Sequence, residues 1–383
     1  MRNNKTVEKV RPRRGRAVSA ALLLAVALLA GCFTGCAVKR EDPDDGRLKV
    51  VATIFPQYDF ARAISGSGET ASVRMLLKPG EEVHSYEPTP LDIKEIQNCD
   101  LFIYVGAEND VWVDRILENI EGDGPQTLRL VDLTETVAEE SVEGMMEEKG
   151  HDHSHSHEDG EEHDHETEED HGHEAETAED HDHEEEEHEE HTHSGDSSHE
   201  EHEEADEHVW TSPVKAAEIT EAIAQKMAEL DPENAQSYLD NARAYEEQIL
   251  EVDRQFREIT QNAERRTVIF GDRFPIRYFA EEYGLEYYAA FPGCSSESEP
   301  SASTLAFLID KVKEEEIPVV FSIEFSNGNI ARAICESTGA VQRTFYSCHN
   351  VTKDQMESGA TYVSMMSENL DVIREALCGG VQE

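Results

Sequence analysis

The sequence predicts an α/β protein of two lobes, each built on a parallel sheet, joined by a long helix. Three observations predict it. Near-continuous apolar runs such as 48–55 (LKVVATIF) and 101–105 (LFIYV) alternate with amphipathic segments, the pattern of strands covered on both faces by helices. A second alternating series begins after residue 263, beyond a polar tract that divides the chain. Between tract and second series, residues 213–261 carry helical periodicity with a break at Asp231-Pro232.

Taken in order, residues 1–32 read as a signal peptide. Arg11, Arg13, Arg14 and Arg16 precede an apolar run from Ala17 to Ala30, short for a membrane span. Leu29-Ala30-Gly31-Cys32 resembles a bacterial lipobox, with Cys32 the expected lipidation site; a diacylated cysteine meets the requirement of more than one chain for stable anchoring. Residues 33–47, rich in Asp, form a tether. The first lobe, 48–135, offers strands at 48–55, 72–77 and 101–105 and helices at 58–64 and 91–97. Ser212 caps a helix that Pro213 opens and that runs to about 230. A second long helix reaches about 261, and 208–262 form the link between lobes. The second lobe, 263–383, offers strands at 267–270, 287–291, 319–323 and 341–346. Its helices are expected at 278–283, 305–312, 330–337 and 362–377.

The dividing tract, 136–207, is the most unusual feature. Its stretch 151–207 holds 15 of the 18 histidines and 28 Asp or Glu, without Lys or Arg. The clusters have no apolar period, so no core forms on them and they read as a disordered, metal-collecting loop. Imidazole is a good ligand for borderline divalent metals, and dense carboxylate raises local cation concentration. His151, His153, His155, His157, His163, His165, His171, His173, His181 and His183 are the expected auxiliary ligands. Removing the 28 acids from the net charge of −51 leaves −23, which argues against a nucleic-acid partner.

Three motifs then carry a specific resemblance. Pro79-Gly80-Glu81-Glu82-Val83-His84-Ser85-Tyr86-Glu87-Pro88-Thr89-Pro90, Glu207-His208-Val209-Trp210-Thr211-Ser212-Pro213 and the helix Tyr362-Val363-Ser364-Met365-Met366-Ser367-Glu368-Asn369-Leu370 occur in this order. They resemble the ligand loops and C-terminal helix of zinc-binding lipoproteins of metal ABC importers (ZnuA/AdcA-like, cluster A-I solute-binding proteins). The resemblance implies a metal site in the cleft between two lobes held by a rigid helix, and an ABC permease as partner. His84 follows a strand and a Pro-Gly turn, at the sheet end where α/β folds place ligands, and His208 lies before a helix.

The family's third histidine is absent. Its place reads Phe270-Gly271-Asp272-Arg273-Phe274-Pro275, so Asp272 is the natural substitute, with an ion pair or helix cap as its other reading. His349, in Tyr346-Ser347-Cys348-His349-Asn350, is the expected further ligand, and Glu324 is either a ligand or the acceptor that orients a histidine. His84, His208, His349 and one carboxylate suit tetrahedral zinc, with Mn²⁺ less favoured. No CxxC occurs among the cysteines, and Cys294 with Cys348 is the expected disulfide. The resulting expectation is an extracytoplasmic, lipid-anchored, monomeric zinc-binding lipoprotein that feeds an importer. A manganese or iron carrier and a metal-buffering adhesin are the alternatives. No H-E-x-x-H suggests a zinc hydrolase, and no G-x-x-x-x-G-K-[ST] suggests an ATPase in this chain, so no enzyme is expected.

Overall fold

The structure, a computed structural model, describes residues 46–83, 86–106, 110–120, 122, 124–146, 205–295 and 299–379. Cys32, the leader 1–32, His84 and the ten tract histidines lie outside the described residues. In the first lobe β1 (Leu48–Ala52), β2 (Ala71–Met75), β3 (Leu101–Tyr104) and β4 (Gln126–Arg129) form a wholly parallel sheet in the order β2-β1-β3-β4. Helices α1 (Phe55–Ile64), α2 (Pro90–Gln97) and α3 (Val111–Glu118) connect them. The expected strand 48–55 stops at Ala52 because Pro56, in the first turn of α1, presets helical φ.

The second sheet repeats the order. It comprises β5 (Thr267–Arg273), β6 (Glu286–Phe291), β7 (Val319–Ile323) and β8 (Val341–Phe345), arranged β6-β5-β7-β8 and all parallel. Between the lobes run α4 (Pro213–Leu230) and the 27-residue α5 (Ala235–Gln261), about 40 Å long at 1.5 Å per residue. Then follow α6 (Arg277–Tyr283), α7 (Ala302–Glu314), α8 (Asn329–Thr338), α9 (Lys353–Ser358) and α10 (Tyr362–Cys378). Among the described residues no helix is long and apolar enough to cross a membrane.

Packing explains the continuous apolar runs. Val50, Leu101 and Ile103 face one core while Val51, Phe102 and Tyr104 face another, so both faces of the first sheet are covered. In the second sheet Phe270 and Phe321 join the core of the first lobe, and Ile269 and Val320 enter a separate cluster with Leu308 and Ile334. One core therefore runs through both lobes by way of α4, α5 and α10.

Helix α5 is bonded to each lobe. Tyr245 donates to the buried Asp59 carboxylate of α1, and Asn241 Nδ2 donates to Ile64 O at 3.0 Å. At its other end Asp253 accepts from Tyr283 Oη at 3.0 Å, and Phe256 packs edge-on against Phe279. The flanks of the tract are ordered, which corrects the disordered span expected over 136–207. Ala138 and Ala205 form an antiparallel bridge, Asp206 N donates to Val137 O at 2.9 Å, and Met145, Asp206 and Glu207 are buried.

Candidate metal centre

The loop carrying His208 enters the core before α4, where Ser212 caps the helix by accepting from Lys215 N. Trp210 fixes this loop: its Nε1 donates to Ser347 O at 2.9 Å and its carbonyl accepts from Tyr362 Oη at 2.7 Å. Tyr278 Oη anchors the preceding turn, donating to Asp206 O at 2.6 Å. His208 is thereby 0% exposed, its ring against Trp210.

His349 arrives from the end of β8. Between it and Ser347, Cys348 adopts φ 64°, left-handed backbone that costs a non-glycine residue about 1 kcal/mol or more. That turn brings the Ser347 and His349 side chains together, with Oγ and Nδ1 2.7 Å apart. The His208 and His349 rings meet edge to face with centroids 4.7 Å apart. Each ring has its Nδ1 committed by the residue two positions earlier. Asp206 Oδ1 accepts from both His208 N (2.8 Å) and Nδ1 (2.9 Å), and Ser347 engages His349. These partners fix the orientation and the tautomer of both rings.

Glu324 supports this arrangement without turning to the rings. Its oxygens accept from Ser347 N and Ser347 Oγ at 2.7 Å and from His349 N at 3.2 Å. Burial raises its carboxyl above the ordinary range, against the opposing pull of those donors. For His208 burial favours the neutral ring, yet Asp206, with Glu207 and Glu139, raises its pKa above the usual imidazole value.

The approach to His84 is held from the other lobe, although His84 itself is outside the described residues. Asn350 Nδ2 donates to Lys78 O (2.8 Å) and Glu81 O (2.9 Å), and Arg273 pairs with Glu82 at 3.3 Å. Val83 lines both small cavities that reach His349.

Asp272 lies at the end of β5. Strand β5 runs beyond its expected end through a register irregularity between Phe270 and Arg273, where a Cβ on Gly271 would lie 2.5 Å from the Ala331 backbone. Asp272 then closes the strand end, Oδ1 accepting from Arg273 N at 2.9 Å and Oδ2 from Ile323 N at 3.3 Å.

The expected disulfide is a correction. Cys294 and Cys348 are both free thiols. Cys348 is fully buried with Sγ toward Tyr346 O, while Cys294, on the loop after β6, lies beside the Glu207 carboxylate. Burial, then Glu207, Glu139 and Asp206, push the Cys294 thiol up. Among the described residues one group of three potential ligands has all its ligand atoms within 4.8 Å of one another: Glu207, His208 and Cys294.

Sequence reasoning gave no role to Asp206, Ser347 and Glu207, and assigned Cys294 to a disulfide instead. An available signal was the repeated spacing, Asp206-x-His208 and Ser347-x-His349, which places an orienting acceptor two residues before each ring.

Two parallel-sheet lobes on a bridging helix, with oriented histidines paired where the chain's two halves meet, define a bilobal binding-protein frame. The chain belongs to the family described as "Zinc-uptake complex component A periplasmic", which matches residues 50–376. It is 27% identical over 354 residues to zinc-binding lipoprotein AdcA of Streptococcus pneumoniae (strain ATCC BAA-255 / R6), covering 92% of this chain and 60% of that protein. The chain thus spans 60% of the length of that streptococcal relative. It is 29% identical over 350 residues to high-affinity zinc uptake system protein ZnuA of Bacillus subtilis (strain 168), covering 91% and 94%. Among solved structures, the Zn(II)-bound ZnuA-like domain of Streptococcus pneumoniae AdcA superposes with TM-score 0.62 at 22% identity, over 87% of this chain and 100% of that one. Laminin binding protein (Lmb) of Streptococcus agalactiae gives TM-score 0.62 at 21% identity, over 86% and 99%. At these identities the structural likeness concerns the fold.

Proposed function

We propose that this chain is an extracytoplasmic, Cys32-anchored lipoprotein that captures Zn²⁺ between its lobes and delivers it to an ABC-type permease. The observation that carries the reading is the buried pair of histidines at 4.7 Å, each with Nδ1 fixed and Nε2 assigned to the metal. Two relatives named for zinc, in a family described by zinc uptake, support the choice of ion. Imidazole pairs favour zinc over manganese, and so does the histidine tract.

His208 and His349 are ligands in this reading, His84 completes the imidazole set, and Asp272 or water supplies oxygen. Asp206, Ser347 and Glu324 hold the rings in position. The tract binds zinc weakly and multivalently, raising its effective concentration beside the site. Because α5 is bonded into both lobes, loading proceeds with limited lobe movement. Acid releases the metal, since each imidazole must be neutral to bind. The chain acts as a monomer and no chemistry is performed on the cargo.

Mass spectrometry and competition calorimetry, zinc against manganese, test the reading. They compare protein lacking residues 1–36 with a form also lacking 151–202, a cut that leaves the bridged flanks Ala138 and Ala205 in place. One tight zinc that outcompetes manganese in both forms, with extra weak ions only when the tract is present, is expected. Loss of all tight binding on trimming would place the site in the tract instead. An adhesin without a transport role would leave zinc-limited growth of a deletion strain unaffected.

A further inference from the structure

We propose that Glu207, His208 and Cys294 form a second, thiolate-containing position for the same ion, the point at which it enters from the tract before passing to His349. This rests on the reading of His208 as a zinc ligand and adds a site to it.

The geometry comes first. The three ligand atoms lie within 4.8 Å of one another, and His208 Nε2 is 4.0 Å from Glu207 Oε1. Ligands 2.0–2.3 Å from a tetrahedral zinc are separated by roughly 3.3–3.8 Å, so small side-chain movements close the set on an ion. His208 is fixed by the Asp206 contact and Trp210 beside it by Ser347, and Cys294 by the donation of its backbone N–H to Glu139 Oε1 at 3.3 Å. A bound ion displaces the thiol proton to solvent, and the set of one sulfur, one nitrogen and one oxygen suits zinc or cadmium rather than manganese.

Location comes second. Glu207 and Cys294 line a cavity of about 330 Å³ together with Asp110, Asp114 and Glu139. Its wall also includes Ala205, the first described residue after the histidine tract. An ion leaving the tract therefore meets a chamber lined by four carboxylates and the Arg129 guanidinium, with Glu207 and Cys294 of the trio in its wall. His349 does not line that chamber but lines the two cavities reached by Val83, and Glu207 and Asp110 also line one of these, so Glu207 borders both spaces.

Sharing His208 makes the positions exclusive and couples them. Its Nε2 serves either Glu207 and Cys294 or the pair with His349, so the ion advances by ligand exchange around one fixed nitrogen. A single bound ion distributes between the positions, and removing His349 should trap it at the thiolate.

Cobalt(II) reports thiolate ligation through a near-ultraviolet sulfur-to-metal charge-transfer band that imidazole and carboxylate do not give. The unlipidated full chain would be titrated with one equivalent of Co²⁺ beside Cys294→Ser and His349→Ala, and zinc loading from a chelator followed by stopped flow. Expected are a band in the parent protein, its loss in Cys294→Ser, its strengthening in His349→Ala, and loading slowed at least several-fold in Cys294→Ser with one tight ion retained. One tight cobalt with no sulfur band in the parent, or a band that survives Cys294→Ser, would overturn the thiolate position while leaving the His208–His349 site standing. Failure of the full chain to hold any tight ion would defeat both.

Discussion

Replacing Asp206 by alanine isolates the contribution of orientation to metal affinity. One carboxylate oxygen accepts from His208 N at 2.8 Å and Nδ1 at 2.9 Å, and both groups are buried. The backbone bonds that hold this turn, from Asp206 N to Val137 O and from Tyr278 Oη to Asp206 O, survive the change. Removal of an orienting partner of this kind costs about 10–100-fold in metal affinity, or roughly 1.4–2.7 kcal/mol. A second effect has the opposite sign. Asp206 raises the His208 pKa against burial, so without it the ring stays neutral to lower pH. Zinc competes with that proton below the ring's pKa, and the parent protein therefore starts losing affinity at higher pH than the variant. Chelator competition for zinc between pH 5.5 and 8.5 should show the variant 10–100-fold weaker at the alkaline end, with the gap narrowing toward acid. Equal affinities at pH 8.5, or a gap that widens toward acid, would refute the orienting role.

Three further perturbations follow from the same contacts. Ser347→Ala removes the hydroxyl between Glu324 and His349 while the Ser347 and His349 backbone bonds to Glu324 remain, so zinc affinity should fall about tenfold with thermal stability little changed; calorimetry and a melting curve check both. Gly293→Ala places a methyl 3.1 Å from His208 Cε1 and from Phe274 O, and 3.3 Å from Pro275 Cα, so the ring is the neighbour that must shift; weaker zinc binding in a folded protein is expected from calorimetry with circular dichroism. Asp110→Asn keeps an acceptor for Val105 N (2.7 Å) and Gly106 N (3.0 Å) but abolishes a carboxyl that burial pushes up to about 6. A folded-state value above the unfolded one of about 3.9 stabilises below pH 4 and loses that contribution as pH rises through 6. Urea denaturation without metal should accordingly find the variant more stable by about 2–3 kcal/mol at pH 7.5 and equal to its parent near pH 4.

The architecture was legible where burial on two faces writes long apolar runs, as in LKVVA of β1 and VVFSI of β7. The Ser212-Pro213 helix start was legible because capping chemistry is local. Strand β4 was not: QTLR is a largely exposed edge strand whose pairing comes from its neighbour β3. Helix α3 packs Trp112, Val113, Ile116 and Leu117 on one cluster but is only eight residues long, and six-residue α9 buries nothing, so neither gives a long periodic signal. The repeated sheet order left no sequence repeat because parallel strands demand only apolar character. His208 and His349 stood out as the histidines outside the tract and the first motif. Asp206 and Glu207 were hidden among 28 acids that look alike in sequence, although the Ala138–Ala205 bridge and the bond from Asp206 N to Val137 O hold this stretch in place. Spacing of cysteines carries no information on which thiols meet, so Cys294 was matched to Cys348 when its neighbour is Glu207.

Anomalous diffraction at the zinc edge from crystals of the zinc-loaded protein tests the central claim most directly. The account predicts a strong peak about 2.0–2.2 Å from Nε2 of both His208 and His349, with Nδ1 of each ring still on Asp206 and Ser347. A tight-binding peak that touches neither Nε2, or one reached through Nδ1, would contradict it.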